Sequence, residues 1–135
     1  MTRRLVAVSF FALALTVLAG CGSGGGVTTP FNHSGTWAGT IQDSFAGAGI
    51  VGLTMSQSGS NLVGTWQSTF TAGGNGGTLA GVVNGNEVLV ELYPSNPSLC
   101  PFAVVATRSG SSMNGTYAAF NCVDTVTGTL NVTRQ

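Results

Sequence analysis

The feature that most constrains this chain is a nine-residue phrase that occurs twice. Ser58-Gly59-Ser60-Asn61-Leu62-Val63-Gly64-Thr65-Trp66 returns as Ser109-Gly110-Ser111-Ser112-Met113-Asn114-Gly115-Thr116-Tyr117, at an offset of 51. The same offset carries Gly77-Thr78-Leu79 onto Gly128-Thr129-Leu130, and Gly35-Thr36-Trp37 is a third copy of the Gly-Thr-aromatic element. Each long copy begins with a glycine-serine pair suited to a type II′ hairpin turn, whose first central residue needs positive φ. Residues then alternate. Leu62, Gly64 and Trp66 fall on one face with Met113, Gly115 and Tyr117 in the second copy, while Val63, Thr65 and Gln67 and Asn114, Thr116 and Ala118 fall on the other. A period of two after a tight turn is the signature of a hairpin, so the repeat reads as a duplicated β-meander.

Extending the pattern gives eight strands, at about 34–42, 47–57, 61–70, 77–83, 86–93, 101–108, 113–121 and 126–134. Val83-Asn84-Gly85-Asn86 fits a type I′ turn, and the glycine run Gly73-Gly74-Asn75-Gly76-Gly77 reads as a flexible link. The fold class expected is all-β: an eight-stranded antiparallel up-and-down barrel, with a β-sandwich as the alternative. Closure removes the exposed edges that an open sheet presents. Inner glycines leave room for Trp37, Trp66, Phe102 and Tyr117, the residues that would line a ligand site. Outward positions read as Thr, Asn, Gln and Glu, which favours a soluble barrel over a membrane-spanning one.

The first thirty residues follow different rules. Arg3 and Arg4 precede an apolar run, Leu5 to Leu18, that is too short to cross a bilayer comfortably and has the layout of a secretory signal. Leu18-Ala19-Gly20-Cys21 resembles the lipobox of bacterial lipoproteins. The resemblance implies cleavage between Gly20 and Cys21, a diacylglycerol and an N-acyl chain on Cys21, and a membrane anchor in the bacterial cell envelope. Gly22 after the cysteine resembles the outer-membrane rule of Gram-negative lipoproteins. An ordinary signal cut after Ala19 or Gly20, leaving a free thiol, is the alternative. On the lipoprotein reading, residues 1–20 are the signal, 21–33 a flexible tether and 34–135 one barrel domain. Lipidation also explains an odd count of three cysteines, leaving Cys100 and Cys122 to form a disulfide.

Gly35-Thr36-Trp37, Leu53-Thr54-Met55-Ser56-Gln57 and Leu62-Val63-Gly64-Thr65-Trp66 resemble the small calycin-type barrels, namely lipocalins, avidins and bacterial metalloprotease inhibitors. The avidin biotin contacts do not carry over, because Ala38-Gly39-Thr40-Ile41 follows Trp37, and no basic residue is evidently placed to cap Trp37. If the barrel forms, strand parity brings the tether and the tight turns to one end. The longer links, about 43–46, 71–76, 94–100 and 122–125, then lie at the other. A two-residue Gly110-Ser111 turn sets Cys100 opposite Asn121, so joining it to Cys122 requires an adjustment at the rim.

Chemistry is sparse. After Cys21 the charged side chains are Arg108 and Arg134 against Asp43, Glu87, Glu91 and Asp124, which argues against nucleic acid as a partner. The single histidine, His33, reads as a solvated linker residue, with no metal-ligand spacing and no serine nucleophile beside it. Glu87 and Glu91 share a strand face about 13 Å apart, beyond a carboxylate pair's working range. Asp43 and Asp124 fall in turns. No catalytic residue, metal or further cofactor is expected. The function expected is that of an anchored, non-enzymatic lipoprotein binding a small apolar ligand inside its barrel or an envelope protein at the distal loops. The alternatives are a structural lipoprotein with a filled barrel, and a protease-inhibitor-like module.

Overall fold

Three glycines set the register of the sheet. In the computed structural model, which describes residues 31–135, the strands are β1 (Gly35–Asp43), β2 (Gly47–Ser58), β3 (Asn61–Phe70), β4 (Gly73–Asn84), β5 (Glu87–Pro94), β6 (Phe102–Ser109), β7 (Ser112–Ala119) and β8 (Thr127–Arg134). Gly59, Gly85 and Gly110 have φ of 60°, 61° and 61° and each opens a two-residue turn, closed by the pairs Ser58–Asn61, Asn84–Glu87 and Ser109–Ser112. Positive φ is confined to the first central residue, as a type II′ turn requires. The turn expected at Asn84-Gly85 therefore sits one residue later, at Gly85-Asn86. The observed register sets Val83 opposite Val88, both buried, whereas a turn centred on Asn84-Gly85 would set Val83 opposite Asn86.

The strands close on themselves. All eight pair antiparallel in sequence order, and β1 returns to β8 from Trp37–Arg134 through to Asp43–Gly128. The fold is a closed up-and-down barrel, not a sandwich. Inward positions supply one core, with Trp37, Leu62, Val88, Met113 and Val132 fully buried. Gly128 faces Tyr117 across the β7–β8 pair, and a Cβ there would collide with the phenol ring, so the missing side chain is what admits the aromatic. The void among Leu53, Met55, Val88 and Met113 is only about 10 Å³, at the lower limit for one water.

The outer wall is less uniform than expected. Over β1, β7 and β8 it carries Thr40, Gln42, Asn114, Thr116, Thr129 and Asn131. Over β3 to β6, however, Val63 (57% exposed), Val82, Leu89 and Val105 face outward, with Val82 opposite Leu89 and Leu89 opposite Val105. Branched and apolar side chains suit a pleated strand on either face, so propensity there outruns the inside-outside rule.

The glycine run belongs to the sheet. Gly73 to Gly77 pair with β3 from Phe70 back to Trp66, leaving only Thr71 and Ala72 as the link. Glycines offer backbone hydrogen bonds without side chains to place, which is enough to continue a ladder already started. The long connections that remain are 95–101 and 120–126. Between them lies the Cys100–Cys122 disulfide, with Cα atoms 5.8 Å apart. Val104 pairs with Tyr117 and Phe102 with Ala119, and the Phe120 amide still donates to the Pro101 carbonyl at 3.0 Å. Asn121 then takes φ of 52°, a left-handed residue that adds the extra step and brings Cys122 level with Cys100. The rim makes the adjustment, and the apolar register is preserved.

At the tight-turn end the chain arrives through a clamp. His33, expected to be a solvated linker residue, is fully buried; its amide donates to Gln57 Oε1 at 2.8 Å, and Trp37 Nε1 donates to its carbonyl at 3.0 Å. The domain therefore includes His33, which the sequence assigned to the tether. Arg108 Nη1 donates to the Asn32 carbonyl at 2.6 Å, and Arg134 Nη2 donates to the Ser34 carbonyl. Both guanidiniums lie over the Trp37 ring, 5.2 and 5.9 Å from its centroid, so Trp37 does carry a cationic cap. Sequence had not revealed it because the arginines come from the far ends of β6 and β8.

Replacing Cys100 and Cys122 together by alanine is expected to lower stability by about 3 kcal/mol, from the loop-closure entropy of a crosslink with separation 22. Denaturant unfolding at pH 7 measures the loss, and an unchanged near-ultraviolet spectrum establishes that the barrel persists.

Candidate functional site

The distal end of the barrel is not filled. Three of the four aromatics expected to line a site, Trp66, Phe102 and Tyr117, converge there around a cup of about 60 Å³. Phe102 stands edge-on between the other two, its centroid 6.4 Å from Trp66 and 5.5 Å from Tyr117. Phe70 completes the aromatic wall, and Ile41, Val51, Leu92 and Leu130 form the floor. Trp37 is not part of it, being sealed at the opposite end beneath the arginines.

The cup has polar residues that the sequence reading left in other roles. Asp43, Ser68 and Asn75 line it beside the aromatics. Asp43 is 8% exposed, and it ends β1 on the inward parity of Trp37 and Ile41. Its Oδ1 accepts the amides of Phe45 and Ala46, each at 2.8 Å, which folds the β1–β2 corner over it. Its Oδ2 accepts the Tyr117 hydroxyl at 2.6 Å, a buried tie between β1 and β7. Burial alone would raise the Asp43 pKa, but the bonds from Tyr117, Ala46 and Phe45 outweigh it and hold the carboxyl below 3.8. Burial, and then the bond to Asp43, push the Tyr117 phenol well above its ordinary 10. Trp66 also has an orphan: its Nε1, buried, has no hydrogen-bond partner. An unmet donor of this kind costs about 1–3 kcal/mol, and it lies on a residue of the cup wall.

The other expected site residues fall elsewhere. Gly20 and Cys21, the cleavage and lipidation positions, lie outside the described residues. Cys100 and Cys122 are bonded at the rim. Glu91 accepts the Tyr93 hydroxyl on the outer wall, and Glu87 stands beside the β4–β5 turn. Among the described residues no three His, Cys, Asp or Glu side chains gather as a metal site. His33 is held by Gln57 Oε1, 3.2 Å from its Nδ1; burial first, and then the charges of Arg108 and Arg134, lower its pKa below 6.5 despite that bond. It sits at the closed end, away from the cup.

Two signals for the cup were present in the sequence. Asp43 follows Trp37 by six residues and Ile41 by two, so alternation alone turns it inward; its place beside a turn masked this. Asn75 was hidden by the assignment of 71–76 to a link, whereas Phe70 ends the third expected strand on the inward parity of Trp66. Both join the cup because β3 and β4 run to the rim.

Stability should fall on both sides of neutrality. The unfolded histidine takes up a proton near pH 6.5 that buried His33 resists, so stability drops as pH falls through 6.5, and again below 3.8 as Asp43 is protonated. Above pH 10 the unfolded tyrosine ionises while Tyr117 does not, and stability drops there as well. Tyr117→Phe should cost about 1.5–3 kcal/mol at pH 7, the usual worth of a hydrogen bond to a charged group, and should flatten the decline above pH 10. Urea titrations at stepped pH report all of these. Compared with known proteins, the chain matches no protein-family model and no curated protein, so its functional reading rests on the geometry of the cup.

Proposed function

We propose that this chain is a lipid-anchored, non-enzymatic lipoprotein of the bacterial cell envelope that binds through the distal cup of its barrel. The observation that carries the reading is the asymmetry of the two ends. The N-terminal segment joins at residue 31 beside the tight turns, where His33 and Trp37 close the barrel, and the cup opens at the other end, walled by Trp66, Phe102 and Tyr117. A tether from a lipidated Cys21 would hold the closed end toward the membrane and turn the cup away from it. Two or three acyl chains hold a protein on a bilayer firmly, at about 0.8 kcal/mol per buried methylene. In a Gram-negative host, Gly22 favours the outer membrane.

The size of the cup restricts what it takes. Drug-sized pockets run to about 300–1,000 Å³, and about 60 Å³ admits a small ligand or one side chain of a protein partner. The filled interior beneath it favours a second reading, a structural lipoprotein with no ligand. The two separate by experiment. Labelled palmitate should enter the wild-type protein in a bacterial host and be absent from Cys21→Ser; label retained by the variant would overturn the anchor. Native mass spectrometry of the protein from its own host should find adduct mass on the wild type that is lost in Phe102→Ala. Unliganded wild type, with no protein crosslinked through the cup, would leave the structural reading.

A further inference from the structure

Asp43 makes the cup unsuitable for the apolar ligand that its aromatic walls suggest. The carboxylate is more than nine-tenths buried, its three hydrogen-bond partners are neutral donors, and its Oδ2 accepts only one bond. Arg108 and Arg134, the only arginine or lysine side chains among the described residues, both pack on Trp37 at the opposite end. The charge at the cup is thus uncompensated, and it relies on what solvation the opening still gives. An apolar group filling about 60 Å³ would strip that solvation and return nothing, which for a buried ion costs several kcal/mol. A cation would be met by the carboxylate, in a cup whose remaining wall is largely aromatic.

We infer that the distal cup is a site for a small ammonium group, seated among Trp66, Phe102 and Tyr117 with Asp43 as its counter-charge. The volume limits the occupant to a head of a few heavy atoms, such as a primary alkylamine or the end of a lysine side chain. This rests on the reading of the cup as the binding site, and it replaces the apolar ligand expected from the aromatics alone.

The test uses the full chain in detergent micelles, with its disulfide intact. The protein has two tryptophans, Trp37 and Trp66, so its two indole N–H resonances report the closed end and the cup separately. Titration with n-propylammonium chloride should shift the Trp66 resonance with millimolar saturation and leave Trp37 in place. The uncharged 1-propanol should bind at least about tenfold more weakly, since it lacks the charge-assisted contact. Asp43→Asn keeps the Oδ1 acceptor for the Phe45 and Ala46 amides and should abolish the preference for the amine; Tyr117→Phe should retain it. Nα-acetyl-lysine methylamide separates the sources: tighter binding than propylammonium assigns the site to a lysine of a protein partner, weaker binding to a free amine. Equal or tighter binding of 1-propanol to wild type would overturn the ammonium assignment and leave the cup as a neutral-ligand site. Silence of Trp66 toward every probe would overturn both. A preference for the amine that survives Asp43→Asn, or equal shifts at Trp37 and Trp66, would sink the assignment to this carboxylate.

Discussion

Parity governs this protein. Side chains alternate across a strand, and a two-residue turn carries the inward set of one strand onto the inward set of the next, so the choice of face made at Trp37 propagates through Leu53, Leu62, Val88, Met113 and Val132 until β8 meets β1 again. Closure is the check on the whole sequence of choices, because one odd step anywhere would bring β8 back with its threonines inward. The chain takes an extra step at Asn121, outside the last ladder pair of β7, where the disulfide joins the rim. The three glycines at the turns protect the count: with φ near 60° they take positions that other residues adopt only under strain.

The same parity separates the charges. Arginines near the ends of β6 and β8 reach the end where the chain arrives, and there they clamp Asn32 and Ser34 over Trp37. The last inward residue of β1 is an aspartate at the opposite end. A barrel this narrow cannot hide a charge in its middle, where the void is about the size of one water, so inward-facing ionic groups are confined to its mouths. One mouth is closed with cations lying on an aromatic face. The other keeps an anion, stabilised by two amides and a phenol, beneath an opening.

The architecture was legible because it rests on local signals. Glycine-first turns and a clean period of two in β3, β7 and β8 placed seven of the eight strands to within about two residues, and the inward fates of Trp66, Tyr117, Leu130 and Val132 followed. What escaped has two physical causes: glycines with no side chains to show alternation, and residues whose partners are distant in sequence. Gly73 to Gly77 have no side chains to signal a strand and are ordered by β3. His33 is buried by Gln57 and Trp37, and its own neighbours, Asn32 and Ser34, look like linker. The arginine cap on Trp37 is assembled from β6 and β8, over seventy positions downstream. Asp43 was ambiguous, because an aspartate at a corner satisfies turn chemistry and inward parity at once, and the structure uses both: Oδ1 makes the turn and Oδ2 faces Tyr117.

That double use bears on what the cup can be. A corner aspartate needed only for its turn would be served by either oxygen and would not need a phenol reaching across β8 from β7. Tyr117 reaches it only because Gly128, its partner on β8, leaves the space. The interior has been emptied of side chains at one residue so that a charge can be held at the mouth. Hydrogen bonding that lowers the Asp43 pKa keeps the charge present at neutral pH, although burial opposes it. An apolar residue at the end of β1 would close this mouth at less electrostatic cost, so the standing anion is the feature of the barrel that packing alone does not require.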